Sequence, residues 1–94
     1  MHVVVRSYSS QGASELFDAM EQREEDVKEL ISGVPGFVSY AAFRTEDGGR
    51  TVTACQDKAG TDESSKRAAA WVEENATAPV DPPEIAEGTT VLQF

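Results

Sequence analysis

The chain has little of what most site chemistry needs. Among its 94 residues there is one cysteine, Cys55, one histidine, His2, and one tryptophan, Trp71. A lone cysteine excludes an intrachain disulfide and suits a reducing cytoplasm. A lone histidine, with no carboxylate or thiolate cluster at ligand spacing beside it, points to no metal site and leaves no Cys/His pair for nucleophilic catalysis. Basic residues are scarce, 8 against 17 acidic ones, for a formal net charge of -9. That balance argues against nucleic acid and against an anionic membrane surface as partners, and its plain consequence is solubility. No long hydrophobic run is present. Val3–Val5 is too short for a secretory core or a membrane span, so the expected location is the cytoplasm. No glycine-rich phosphate loop is present either.

What remains is a pattern of short elements, expected to form one domain over residues 1–94. HVVVRSY, from His2 to Tyr8, is rich in β-formers and reads as a first strand. From about Ala13 the apolar positions Leu16, Phe17, Met20, Val27, Leu30, Ile31 and Val34 mark one helical stripe, with EQREEDVKE as the solvated face. Around VPGFVSY, residues 34–40, the preceding Gly33 is expected to close that helix in the left-handed region, Pro35 to forbid its continuation, and Gly36 to free the turn, with a positive φ of its own, so that Phe37 begins a strand. That strand runs to Arg44, and TEDGGR turns it into a third, roughly Arg50 to Gln56. Asp57-Lys58-Ala59-Gly60 reads as a turn, with Thr61 capping a second helix whose inner face carries Ser64, Ser65, Ala68, Trp71 and Val72. ATAPVDPPEIAEG is expected to be an extended connection, and Thr89–Phe94 the last strand.

The order is βαββαβ, which implies an α+β, ferredoxin-like fold: a four-stranded antiparallel sheet with two helices on one face. Consecutive apolar residues at Val3–Val5, Phe37–Val38, Ala54–Cys55 and Val91–Leu92 make both sheet faces apolar. Two helices cover only one, so the other needs a partner, and a second copy of the chain supplies it.

With VPGFVSY, the hairpin, the Asp57–Gly60 turn and the Trp71 helix in this order, the whole chain resembles the antibiotic-biosynthesis-monooxygenase-like proteins of the dimeric α/β-barrel superfamily. The resemblance is architectural. It implies a homodimer in which two four-stranded sheets close a barrel, with a ligand cavity in each subunit between sheet and helices. It also implies cofactor-independent oxidation of an aromatic or polyketide-like molecule, or else a non-enzymatic, small-ligand-binding or stress-associated dimer. The haem-degrading branch has an Asn on the first strand and a His after the tryptophan. HVVVRSY has no Asn and nothing after Trp71 is His, which argues against haem as cofactor. The oxygenase branch uses Asn, Trp, Tyr and Arg to orient an acidic phenol. Trp71, Tyr40 and Arg6 are the residues here of the right type.

Each of these also has an ordinary structural reading. Arg6, among valines, is expected to be charge-paired in the dimer contact, with a ligand anchor as the alternative. Trp71 is expected to be a core residue first, with a role in chemistry as the alternative. The run Ala68-Ala69-Ala70 beside it leaves volume unfilled, which places any ligand site there, with Tyr40 supplying a hydroxyl if its strand face turns inward. Cys55 in a β-rich run reads as a small hydrophobe.

Overall fold

A computed structural model describes residues 1–94. Seven elements follow one another: β1 His2–Tyr8, α1 Ala13–Gln22, α2 Glu24–Ser32, β2 Phe37–Thr45, β3 Gly48–Cys55, α3 Lys58–Asn75 and β4 Glu84–Thr89. The strands form one antiparallel sheet in the order β2-β3-β1-β4. The helices lie on one face of it, so the fold is α+β and ferredoxin-like, as the sequence implies.

The expected first helix is two helices. At Arg23 the backbone leaves helical geometry (φ -118°, ψ 39°), and its N–H donates to the Ala19 carbonyl. An unbroken helix would set Glu21 and Glu25 one turn apart, a repelling pair. The break separates them, and Arg23 Nη1 donates to Asn75 Oδ1 at 2.9 Å, tying the corner to the end of α3. After the corner, α2 turns its Val27 and Ile31 toward β2. No helix is long and apolar enough to cross a membrane.

Three further expectations are corrected. The left-handed residue at the helix-to-strand junction is Gly36 (φ 67°), whereas Gly33 stays right-handed at φ -81°. Gly36 turns the chain so that its carbonyl accepts from Gln56 N–H at 2.8 Å, which fixes the start of β2 against the end of β3. Asp57, not Thr61, caps α3: its Oδ1 accepts from Gly60 N–H, so Lys58 to Gly60 are the first helical turn and not a loop. Gly60 is needed there because a Cβ would stand 2.2 Å from the Pro35 carbonyl oxygen. The last strand is Glu84–Thr89, while Val91, Leu92 and Phe94 lie beyond it, fully exposed. An edge strand is held by its ladder to β1, so it needs no apolar pattern, and the mostly polar EIAEGT pairs where the apolar VLQF after it does not.

The two faces of the sheet differ in kind. Val4, Arg6 and Tyr8 of β1 face the helices with Gly49, Thr51, Thr53 and Cys55 of β3, all buried. Tyr8, Ala13, Leu16 and Phe17 form the core cluster, with the Tyr8 and Phe17 rings edge to face at 6.1 Å. The tip of the Phe17 ring abuts Gly49, where a Cβ would approach it to 2.4 Å. On the opposite face, the register aligns Ala41, Val52, Val5 and Ala86 in one row across all four strands, with no helix above them. This is the uncovered apolar face that the consecutive valines imply.

Candidate functional site

A β-bulge between Phe37 and Ser39 decides which side chains of β2 meet the helices. Strict alternation would put Phe37 and Tyr40 on opposite faces. The bulge leaves Val38 as the extra residue, so Phe37 (opposite Cys55) and Tyr40 (opposite Thr53) both face α2. Between α1–α2 and β2 this opens a groove of about 700 Å³. Its walls include Phe17, Val27, Ile31, Phe37 and Phe43, and its rim carries Glu21, Glu24, Lys28 and Arg44. Arg44 reaches across one end, its Nη2 donating to Asp18 at 2.6 Å and to Glu21 at 2.9 Å. A groove of this size lies within the usual range for small-molecule sites.

Behind the groove lies a smaller hollow of about 30 Å³, between α3, the α1–α2 pair and the sheet. Trp71, Ala68, Leu16 and Tyr8 line it, and Met20, Val27, Ile31 and Tyr40 line both spaces. Tyr40 thus stands at the junction. Thr51 is the one non-aromatic polar residue among the eleven that line the hollow. Ala69 and Ala70 are exposed, so the room beside the indole comes from Ala68 alone and not from the three-alanine run.

Arg6 is not in the uncovered face and has no carboxylate partner. Its parity on β1 turns it toward α3, where it is 1% exposed. Nη1 donates to Thr51 Oγ1 at 3.2 Å and to Thr53 Oγ1 at 3.1 Å, Nε donates to Ser65 Oγ at 3.3 Å, and Nη2 donates to Ser64 Oγ. Neutral hydroxyls satisfy the geometry of the guanidinium without neutralising its charge. Burial therefore lowers the Arg6 pKa, opposed by the nearby Tyr8 and Tyr40. Burial likewise pushes the Tyr40 phenol up to about 12, with Arg6 pulling the other way, and raises Tyr8. Both phenols hold their protons at neutral pH.

The three residues singled out by type are therefore grouped in two layers. Tyr40 and Trp71 share the hollow; Arg6 sits behind Thr51 and touches it only through that hydroxyl. Cys55 is fully buried, and burial raises its thiol, which suits packing rather than nucleophilic attack. His2 lies at the opposite end of β1, with Nε2 2.9 Å from Glu87 Oε1. No group of three or more His, Cys, Asp or Glu side chains is placed to hold a metal ion. Thr51 and the groove walls were missed in the sequence: TVTAC reads as strand composition, and Met20, Val27 and Ile31 read as an ordinary core stripe.

No protein-family model matches the chain, and no curated protein matches it in sequence. Solved structures do. A monooxygenase from ActVA-Orf6 of Streptomyces coelicolor, in complex with nanaomycin D, matches with a TM-score of 0.71 at 21% identity, over 99% of this chain and 89% of that chain. A dimeric ferredoxin-like protein from an uncultured marine organism matches with a TM-score of 0.63 at 14% identity, over 99% and 94% of the two chains. SnoaB, a cofactor-independent oxygenase from Streptomyces nogalater, matches with a TM-score of 0.54 at 15% identity, over 99% and 93%. The chain has the fold of the antibiotic-biosynthesis-monooxygenase-like proteins.

Proposed function

We propose that the protein is a homodimeric, cofactor-independent monooxygenase that takes a flat, electron-rich aromatic anion into the groove between α2 and β2. The observation that carries this reading is Arg6: a buried guanidinium, satisfied by four hydroxyls and neutralised by none, which reaches the space behind the cleft through Thr51. A buried charge without a counter-charge is costly to the fold, and an anion in the adjoining space is its natural complement. The cleft's aromatic walls suit a planar ring system, and the similarity to a monooxygenase solved with nanaomycin D supports a polycyclic ligand. Homodimerisation is supported by the uncovered row Ala41–Val52–Val5–Ala86, by the exposed Val91, Leu92 and Phe94, and by the similarity to a dimeric ferredoxin-like protein.

The cleft holds no histidine, and its lining carboxylates, Glu21 and Glu24, are solvent-exposed, so the substrate supplies its own acidity. An acidic phenol or hydroxyquinone enters as its enolate. The carbanionic carbon gives its electron pair to dioxygen, a C–O bond forms, and the O–O unit becomes a peroxide anion. Protonation gives a hydroperoxide, which loses water, with the proton on carbon, to leave a carbonyl. The role of the chain is electrostatic: Tyr40 donates from its phenol to the substrate oxygen, and the field of Arg6 favours the anion over the neutral phenol.

The test is oxygen consumption by the dialysed, chelator-treated protein with a panel of hydroxyanthrones and hydroxynaphthoquinols. Uptake matched by carbonyl product supports the reading, and Tyr40→Phe should lower it at least about tenfold. Saturable binding without oxygen uptake would overturn the enzyme reading in favour of a ligand-binding module.

A further inference from the structure

The groove accounts for an aromatic substrate, but not for the small hollow behind it. Water-sized atoms each need about 10–15 Å³ of such space. The hollow of about 30 Å³ therefore accepts a diatomic molecule and excludes a ring. Its walls are mostly apolar, it adjoins the groove through Met20, Val27, Ile31 and Tyr40, and Thr51 is its one non-aromatic polar side chain.

Thr51 is 3% exposed, and its Oγ1 accepts from Arg6 Nη1. With that acceptor position occupied by a cation, its own O–H is polarised as a donor, and it faces the Tyr40 phenol, whose burial-raised pKa it lowers. We infer that this hollow is the dioxygen site, in which apolar walls admit neutral oxygen and the Thr51 hydroxyl, backed by Arg6, stabilises it once it becomes anionic.

This inference rests on the oxygenase reading and adds a location and a residue to it. Dioxygen is apolar, so it partitions into dry, apolar space. The substrate carbon in the groove then faces it across the Tyr40 junction. As the C–O bond forms and the O–O π bond breaks, the charge that leaves the carbon arrives on the distal oxygen, on the Thr51 side. Two donors thus divide the work. Tyr40 meets the oxygen of the substrate, and Thr51 meets the oxygen that is being reduced. Arg6 is a positioning residue, acting through Thr51 and not by contact.

Xenon, an apolar guest of similar size, probes the site without turnover. Crystals of the wild-type protein under xenon pressure should show a xenon atom between Trp71, Ala68 and Tyr40. Ala68→Leu should fill the hollow, abolish that site and raise the KM for oxygen at least severalfold. Calorimetric affinity for 2-hydroxy-1,4-naphthoquinone in the groove should stay within about twofold, as for the exposed control Ala69→Leu. Ala68→Val is the smaller fill should the leucine prevent folding. Thr51→Val keeps the shape, so xenon should remain while kcat falls roughly tenfold or more. Thr53→Val removes a sister hydroxyl from Arg6 without touching the hollow, and should cost far less. Wild-type crystals without xenon in the hollow, an unchanged oxygen KM in both Ala68 variants, or equal losses in Thr51→Val and Thr53→Val would each overturn the assignment. Absence of any oxygen consumption by the wild type would instead sink the enzyme reading, and xenon occupancy would still report whether the hollow admits such guests.

Discussion

Replacing Gly36 by valine perturbs one backbone angle at the point where α2 hands over to β2. Gly36 has φ 67°, a conformation that costs an L-residue about 1–2 kcal/mol, at the upper end for a β-branched one. The added Cβ would also stand 3.2 Å from Gln56 Cβ and 3.3 Å from Gln56 N, tight contacts at the place where Gly36 accepts the Gln56 N–H. The expected loss is roughly 2 kcal/mol, within a range of about 1–3. For a domain of this size that corresponds to a Tm lower by roughly 8–16 °C. Urea melts at matched protomer concentration should show a midpoint lower by about 1–2 M, for an m-value of about 1–2 kcal/mol/M. Gly36→Asn separates conformation from bulk, since asparagine tolerates the left-handed region, and it should recover about half of the loss. Gly33→Ala is the counterpart. Its φ of -81° suits any residue, and the nearest atom to the new Cβ is the Arg67 Nη1, at the end of a flexible side chain. It should move stability by no more than about 0.5 kcal/mol. A Gly36→Val midpoint equal to wild type, or a Gly33→Ala loss exceeding it, would refute the account of the junction.

Three other outcomes are expected. The chain has two tyrosines, and both should ionise above 10 in an ultraviolet titration of the folded protein, with Tyr40 near 12. Because the folded-state value is raised, Tyr40 contributes stability that is complete below pH 10 and lost as pH climbs through about 12, so Tyr40→Phe should flatten that alkaline fall; phenols titrating at 10 would contradict it. Val52→Glu places a charge at the centre of the uncovered row, and sedimentation equilibrium at micromolar concentration should move from about twice the chain mass toward one chain mass, whereas a monomeric wild type would remove the basis for the barrel. Gly49→Ala drives a methyl into the Phe17 ring and should cost roughly 1–3 kcal/mol by chemical melts; a neutral result would mean that the ring moves aside freely.

How much of this was legible depended on whether the cause was local. HVVVRSY became β1 residue for residue, because a run of β-formers ended by small polar residues needs no distant information. VPGF marked the junction and Gly36 as its free turn correctly, yet Gly33 stays right-handed and the left-handed residue is Gly36 alone, where the pairing with Gln56, twenty positions on, fixes it. β4 was misplaced for a related reason: an edge ladder recruits Glu84–Thr89 by backbone pairing with β1, which leaves no trace in hydropathy. The orientation of Tyr40 hung on a one-residue bulge that alternation cannot reveal. Arg6 was readable as unusual but not as to why, because its partners Thr51, Thr53, Ser64 and Ser65 come from two other elements. The groove stayed hidden because a helical apolar stripe looks the same whether it packs against a sheet or stands slightly away from it.

The break at Arg23 bears on the breadth of what the protein can take in. It leaves α2 as a nine-residue wall, carried at one end by the Arg23–Asn75 bond and at the other by Arg67 Nη1, which donates to the Leu30 carbonyl at 2.8 Å. Along its length only Ile31 is buried. A short wall pinned at its ends and lightly packed between them adjusts its distance from β2 at small energetic cost, because neither the core cluster nor the sheet has to move with it. Selectivity would then come from the fixed donors at the floor rather than from the outline of the cleft. Under the proposed oxygenase reading, a family of ring systems sharing one acidic oxygen would be accepted alike, and variation in ligand size would be absorbed by α2 alone.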